Sequence, residues 1–541
     1  MIENWKLKIE NWFPMSKSYK PVVLVICDGW GVAPDSDGNA ITRAKLPNFT
    51  NYLKNYPTMT LHASGTEVGL LFGEIGNSEV GHLNIGAGRV YYQSCPRINQ
   101  EITAGDFFKN PAFVKAAEQV KKNKSQLHLI GMIGSGNVHA SSEHLFALLE
   151  FCRQQKLAKE VFVHVILDGR DCVYNAGAEF VKELEDKIAE LKVGKIASLS
   201  GRYFALDRDN RWERVEKAYR AMAEGKAERT ATSATQAVAD SYAVKNYDEE
   251  FIPTVIVKDG LPITTMKAGD AAIFFNFRPD RARELTKAFV LPGFNKFERR
   301  QIENLFFVTM MEYEKDLPVV VAYPPIVAQN CLAEAVSKNG LKQFHVAETE
   351  KYAHVTFFLN GTIEEPFSGE ERGLVPSPKV ESYAKEPAMS AVGITKEVIK
   401  AIDSEKYNLV VINYANADMV GHTGDLKATI KGLETIDKCL GDVVDHTLAH
   451  DGVVVFTADH GNAEEVVNLQ TGEIDKEHST NPVPLIIIGK DFRGQAGPGG
   501  DPPEGDLSLL PPVGVLADVA PTVLQLMGLE QPEEMTGRAL L

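Results

Sequence analysis

Asp459 and His460 stand just beyond the apolar run Val453–Phe456, and Asp418 and His422 stand just beyond a second such run, Leu409–Ile412. A third run, Val22–Ile26, also leads into a carboxylate, Asp28. Short apolar runs of this kind read as buried strands, and in an open α/β sheet ligands bind beyond the carboxyl ends of the strands, so the three acids can converge. Carboxylate with imidazole suits Mn²⁺, Zn²⁺, Co²⁺ or, with more oxygen, Mg²⁺. Asp418 and His422 are four residues apart, which on a helix puts them on one face. His478, in the polar stretch Glu477–Asn481, can complete a group with them. Taken singly, an Asp after a strand is often a helix cap and a loop His often only a hydrogen-bonding group. The accumulation of ligands at strand ends argues for a metal site, and paired sites clamp transferring phosphoryl groups.

Ser78 lies in the Gly-bounded stretch Gly76–His82, read as a flexible turn able to present a nucleophile. By itself such a serine is more often a cap or turn residue. Among metal ligands its hydroxyl loses a proton readily and becomes competent to attack phosphorus. A separate set occupies the middle of the chain: His139, Asp168–Asp171 with Arg170, Gly201–Tyr203 with Arg202, Asp207–Asp209 with Arg208, and Asn276–Arg281 with Arg278 and Arg281. Arginines repeated at strand ends in an acidic protein form a small electropositive pocket that matches carboxylate or phosphate. The competing reading pairs each arginine with the aspartate beside it in sequence.

The elements that must position these groups follow an alternation of apolar runs and helical periodicity, the pattern of α/β layers. Val161–Leu167, the helical spacing Phe180, Leu184, Ile188, Leu191, and Ile196–Leu199 make one β-α-β unit. Gln126–Met132, Ala271–Phe277 and Leu305–Met310 are predicted as further strands of the middle segment, and Leu485–Ile488 as a late strand before a final helix around Val519–Met527. Gly494–Pro512, rich in Gly and Pro, is predicted to be an exposed loop.

With 541 residues the chain exceeds what one core usually supports. The metal-ligand candidates lie before residue 90 and after residue 410, which predicts a discontinuous domain, residues 21–92 and 326–541, with another, 93–325, inserted. The crossings are placed at Gln93–Pro96 and at Leu317–Pro325, where three prolines oppose helix. Residues 1–20 are read as an N-terminal extension lacking the apolar stretch of a secretory signal, with Met15 an alternative start. A hydrophobic fraction of 44% and a charged fraction of 24% are ordinary for a globular protein. A formal charge of −16 opposes nucleic-acid binding. No segment has the length of a membrane span. The six cysteines show no C-x-x-C spacing and read as reduced thiols of a cytoplasmic protein.

Longer motifs carry a resemblance. Cys27–Gly31, Gly76–Arg89 (GNSEVGHLNIGAGR), the His139 loop, Leu167–Asp171 (LDGRD), Gly201–Tyr203, Phe277–Arg281 (FRPDR), Glu350–Phe358 (EKYAHVTFF) and Thr457–Asn462 (TADHGN) resemble cofactor-independent phosphoglycerate mutase, within the alkaline phosphatase superfamily, over about residues 20 to 541. The resemblance implies an alkaline-phosphatase-like α/β domain with two divalent ions, Mn²⁺ or Mg²⁺ with Co²⁺ also admitted, and an inserted phosphotransferase domain. It implies that Ser78 is the nucleophile and becomes phosphorylated. Asp28, Ser78, Asp459 and His460 would hold one ion, and Asp418, His422 and His478 the other. His139, Arg170, Asp171, Arg202, Arg208, Arg278, Arg281 and Lys351 would bind substrate, with Asp171 also an acid/base for the glycerate hydroxyls.

The expected reaction interconverts 3-phosphoglycerate and 2-phosphoglycerate without 2,3-bisphosphoglycerate, in glycolysis and gluconeogenesis, by a monomer that binds no nucleic acid and no membrane. The inserted domain would retain glycerate while it reorients, and the two domains would close about the crossings to exclude water. Activity should fall at low pH as His422, His460 and His478 protonate. The rival readings are a metal-dependent phosphatase, phosphopentomutase or sulfatase-like hydrolase on the same scaffold, and a non-catalytic metal-binding relative.

Overall fold

The computed structural model describes residues 17–325, 327–468, 471–502 and 505–541. The start of the proposed N-terminal extension, including Met15, lies outside the described residues. Residues 17–20, read as the end of that extension, belong to the folded body: Tyr19 is buried, its backbone N–H donates to Leu526, and its hydroxyl donates to Asp491 at 2.9 Å.

The chain divides into two compact units, Met1–Gln93 with Val327–Leu541, and Ser94–Ile326. The first unit opens with β1 (Val22–Cys27) and β2 (Thr58–His62). The second contributes β3 (Leu127–Ile133), β4 (Val161–Leu167), β5 (Ile196–Gly201), β6 (Arg229–Ala231), β7 (Thr254–Lys258), β8 (Leu261–Pro262), β9 (Ala271–Phe274), β10 (Phe306–Met311) and β11 (Val320–Tyr323). The chain then returns to the first unit with β12 (Gln343–Glu348), β13 (Glu370–Val375), β14 (Leu409–Tyr414), β15 (Val453–Thr457), β16 (Val483–Ile488) and β17 (Gly514–Val515).

The first sheet runs β13-β12-β14-β1-β15-β16-β2-β17. Its centre is parallel, with Val22 opposite both Leu409 and Val453, and every residue of β1, β14 and β15 is buried. Unbroken runs of Val, Ile and Leu are what a strand covered on both faces requires. This parallel register brings Asp28, Asp418 and Asp459 to one end of the sheet. The edge is mixed, because β16 lies antiparallel to both β15 and β2.

The second sheet runs β11-β10-β9-β3-β4-β5-β7-β6 and is parallel apart from β7 against β5, with β8 antiparallel to β7 beside it. Two sheets of mixed α/β character match the fold class read from the alternation. One local reading differs, and the other crossing carries a helix start. Leu317–Pro325 is not merely a connection: β-branched Val320 and Val321 form the edge strand β11 on β10, with Pro318, Pro324 and Pro325 kept outside it. Gln93–Pro96 opens the helix Ser94–Ala104, with Pro96 in the first turn, where its missing N–H is harmless.

The second unit also buries His144, on the helix Ser142–Gln154. Its Nε2 donates to Asn99 at 2.9 Å, its Nδ1 has no partner, and burial pushes its pKa down to about 3. Above the ordinary value of 6.5 both folded and unfolded chains carry a neutral ring, so nothing is lost. As pH falls below 6.5 the unfolded chain takes a proton that the folded chain refuses, costing about 1.4 kcal/mol per pH unit. In urea titrations at pH 7 and pH 4.5, His144→Gln is expected to lose less stability between the two pH values than the natural chain; equal losses would refute the assignment.

Candidate active site

Asp28 follows β1 directly, and its backbone N–H donates to Tyr414 on the neighbouring strand. Asp459 and His460 follow β15, and all three side chains are fully buried. Ser78 is not in a flexible turn: it is the first residue of the helix Ser78–Ala87, capped by Asn77, whose side chain accepts from Val80 N–H. The unpaired N–H groups of that helix end favour an anion at the serine. Ser78 Oγ lies 3.0 Å from Asp28 Oδ1 and 2.9 Å from His460 Nε2. Lys351 Nζ, also buried, is 2.8 Å from Ser78 Oγ and 2.6 Å from both Asp28 Oδ1 and Asp418 Oδ2. Lys351 therefore sits on the nucleophile's own cluster.

Asp418 lies in the helix Asn416–Gly421, which His422 terminates. Asp418 Oδ1 is 3.2 Å from His422 Nε2 and 3.1 Å from His478 Nε2, and the two nitrogens are 3.0 Å apart. The Nδ1 atoms of His422, His478 and His460 meet the carbonyls of Lys476, Gly76 and Gly461 at 2.6, 2.8 and 3.2 Å. A carbonyl only accepts, so each Nδ1 carries a proton and Nε2 is the nitrogen turned toward the carboxylates. Three such atoms about 3 Å from one another call for a shared positive charge, a proton or a metal ion, and carboxylate with two imidazoles is a donor set that a divalent metal accepts. The donor atoms form two groups, Asp28 with Asp459 and His460, and Asp418 with His422 and His478, each set lying within 4.8 Å.

The charge balance points the same way. Three buried carboxylates face one buried ammonium. Burial opposes ionisation of Asp28 and Asp418, but Lys351 and the neighbouring histidines together outweigh it, and both carboxyls are held well below the usual range. Burial likewise opposes protonation of His460, yet Asp459, Asp28 and Asp418 push it up to about 10. The cluster thus gathers positive charge from any source, protons included.

The second unit assembles its own set at the carboxyl ends of its parallel strands: His139 after β3, Asp168–Asp171 after β4, Arg202 after β5 and Arg278–Arg281 after β9. Arg202 Nη1 is 2.5 Å from both Asp168 Oδ1 and Asp171 Oδ2. His139 Nε2 is 3.7 Å from Asp171 and its Nδ1 3.7 Å from Asp280. Asp280 also accepts from Arg208 at 2.8 Å and Arg278 at 3.1 Å. Arg281 donates to the carbonyl of Leu206, and Arg170, more than half exposed, pairs with Glu249 at 3.5 Å. Burial, with Arg202 and Arg208 nearby, lowers the pKa of Arg281, and burial with Arg202 lowers that of His139 to about 4. The cluster therefore combines crowded guanidinium groups with a neutral imidazole, a setting suited to an anionic ligand carrying hydroxyls.

Comparison with known proteins concerns the chain as a whole. Residues 98–315 match the family model described as BPG-independent PGAM N-terminus. A 2,3-bisphosphoglycerate-independent phosphoglycerate mutase of Clostridium perfringens (strain SM101 / Type A) is 50% identical over 525 residues, 97% of this chain and 99% of that protein. One from Clostridium acetobutylicum is 50% identical over 522 residues, 96% and 99% of the two chains. This chain belongs to that family. A crystal structure of the Leishmania mexicana phosphoglycerate mutase, described as at low cobalt concentration, is 33% identical, covers 97% of this chain and 98% of its own, and superposes with a TM-score of 0.58.

Neighbours that hold these groups in place were not among the predicted site residues. His82 Nδ1 lies 2.9 Å from the Ser78 carbonyl and 3.0 Å from Asp459 Oδ2. Asn413 donates to Asp28 Oδ2 at 2.7 Å, and Asn462 donates to Asp418 Oδ1 at 3.1 Å. Asp168 accepts from the N–H groups of Arg170 and Asp171 as well as from Arg202. His82 lies within the long motif around Ser78 and Asn462 within the TADHGN motif, so motif membership was the available signal for these two. Asp280 stood inside the FRPDR motif but was passed over as a neighbour of arginines. Among the described residues, no helix is long and apolar enough to cross a membrane.

Proposed function

We propose that this isomerase interconverts 3-phosphoglycerate and 2-phosphoglycerate by passing the phosphoryl group through Ser78. The observation that carries this reading is the setting of Ser78 Oγ, at a helix N-terminus and within 3.0 Å of Asp28, His460 and Lys351. Two divalent cations, Mn²⁺ or Mg²⁺ with Co²⁺ also admitted by the donors, would be held by Asp28, Ser78, Asp459 and His460 and by Asp418, His422 and His478, and would supply Lewis-acid neutralisation and a lowered hydroxyl pKa.

In the first half-reaction the Ser78 Oγ–P bond forms, the substrate O3–P bond breaks, and glycerate O3 receives a proton. Lys351 and the helix N–H groups face the charge spread over the transferring oxygens. In the second, glycerate O2 gives up its proton and attacks phosphorus, and Ser78 is released. His139, Arg170, Arg202, Arg208, Arg278 and Arg281 bind the glycerate, and Asp171 gives and takes the hydroxyl protons. Retention of glycerate makes this a mutase, since release after the first half-reaction would leave water to complete a hydrolysis. The reading includes no macromolecular partner, a monomeric state and a cytoplasmic location.

The test is conversion of 3-phosphoglycerate by chelator-stripped protein with each divalent ion restored in turn, without 2,3-bisphosphoglycerate, while free phosphate is followed. Metal-dependent isomerisation with little phosphate supports the proposal; phosphate as the main product would move it to the phosphatase reading. Asp459→Ala is expected to lose both bound metal and activity, because a ligand of the first ion is gone. Full metal occupancy of that variant by elemental analysis would show that Asp459 is no ligand.

A further inference from the structure

Glu464 is buried, is paired with no cationic side chain among the described residues, and accepts four hydrogen bonds, two on each carboxylate oxygen. Oε2 takes the backbone N–H of Gly31 at 3.0 Å and of Asn462 at 2.9 Å. Oε1 takes the hydroxyl of Ser479 and the amide of Asn481 at 3.0 Å. Those four donors belong to three separate segments. Gly31 lies three residues beyond Asp28, Asn462 two beyond His460, and Ser479 one beyond His478. Asn462 reaches onward to Asp418 Oδ1, and Ser479 N–H donates to Gly461 in an isolated bridge. Four acceptor sites are all that a carboxylate has, so Glu464 is saturated by loop backbone and loop side chains.

The backbone is shaped around this carboxylate. A Cβ on Gly31 would stand 2.2 Å from Glu464 Cδ, and one on Gly461 would stand 2.3 Å from both Glu464 Oε1 and Ser479 Oγ. Glycine at these two places lets the segments close on the carboxylate.

We infer that Glu464 is a positioning residue that sets the second ligand group, Asp418, His422 and His478, against the first. This rests on the ligand assignment proposed above and goes beyond it by naming what ties the second group's loop to the first. The two groups depend on the clamp unequally. Asp28, Asp418 and Asp459 follow central strands and Ser78 begins a helix, so regular secondary structure fixes them. His478 stands far along the connection from β15 to β16, tied by its own ring to Gly76 and by its neighbour Ser479 to Glu464. Partners of this kind, lost one at a time, cost about 10- to 100-fold in metal affinity.

The experiment titrates Mn²⁺ into chelator-stripped, full-length protein and into Glu464→Gln, counting bound ions by calorimetry and by the spin-resonance signal of free Mn²⁺. The natural chain is expected to take two ions. Glu464→Gln keeps the tighter one and binds the other about 10- to 100-fold more weakly. Ser479→Ala, which removes the hydroxyl donor next to His478, should show the same selective loss, and the double variant should lose less than the sum of the two. Asn481→Ala removes a single donor and serves where Glu464→Gln does not fold, with a smaller weakening of the same ion. Unchanged binding of both ions in a folded Glu464→Gln, or equal weakening of both, overturns the inference. A natural chain that binds no second ion sinks the ligand reading itself, and the two failures are thereby told apart.

Discussion

Ser78→Ala is expected to lower kcat by about 10⁴-fold or more while leaving the fold and most of the metal binding in place. The serine is the only atom source for the covalent bond in the proposed reaction. Asp28, Asp459 and His460 would still face one ion, and Asp418, His422 and His478 the other. The helix should not suffer, because its cap is Asn77 and Ser78 occupies the first helical position, where alanine is well tolerated. Single-turnover assays with metal-loaded variant, alongside elemental analysis, separate chemistry from binding. Substantial mutase turnover by a folded, metal-replete Ser78→Ala protein would end the phosphoserine mechanism.

Lys351→Met should be the most disruptive change of similar volume at the site, and its effect should depend on metal. Lys351 holds Asp28 and Asp418 at 2.6 Å each, and all three side chains are buried. Removing one partner of a buried ion pair costs about 3 to 5 kcal/mol, because the charges left behind are uncompensated. Divalent ions bound by the same carboxylates would supply that compensation, so urea unfolding of stripped protein should show the full loss and unfolding of Mn²⁺-loaded protein a smaller one. Turnover should fall in both, because the cation 2.8 Å from Ser78 Oγ is gone. An identical stability loss with and without metal would mean that Lys351 and the ions do not serve the same carboxylates.

The α/β class was legible because β1, β14 and β15 each begin as an apolar run of four or more residues and close near an acid. Parallel pairing then does the rest: once Val22 lies beside Leu409 and Val453, Asp28, Asp418 and Asp459 have nowhere else to go. Less legible were residues whose part depends on direction rather than spacing. Glycines on either side of Ser78 suggested a loose turn, whereas Asn77 caps a helix there and buries it. Lys351 was grouped with arginines by motif, but packing sets it against Ser78 and two aspartates. Glu464, His82, Asn413 and Asp280 carry no periodic or spacing signal, since a residue that orients a ligand can come from any neighbouring strand or loop. Edge strands were missed for a related reason: β11 is short and flanked by prolines, and its membership of the sheet shows only once β10 is in place.

The central strand of the first sheet has a further consequence, for synthesis. β1 is made almost at once, but its two partners, β14 and β15, lie nearly four hundred residues and more downstream. At 5–20 residues per second the ribosome takes roughly 20 to 80 s to deliver the first of them. Throughout that interval β1, apolar along its whole length, has neither edge paired, while the contiguous segment Ser94–Ile326 can complete its own sheet. The inserted unit should therefore be the first part to fold on the ribosome. The opening ninety or so residues are then the stretch that most needs a chaperone's cover, because a waiting strand of Val, Leu and Ile is the one a neighbouring nascent chain would pair with.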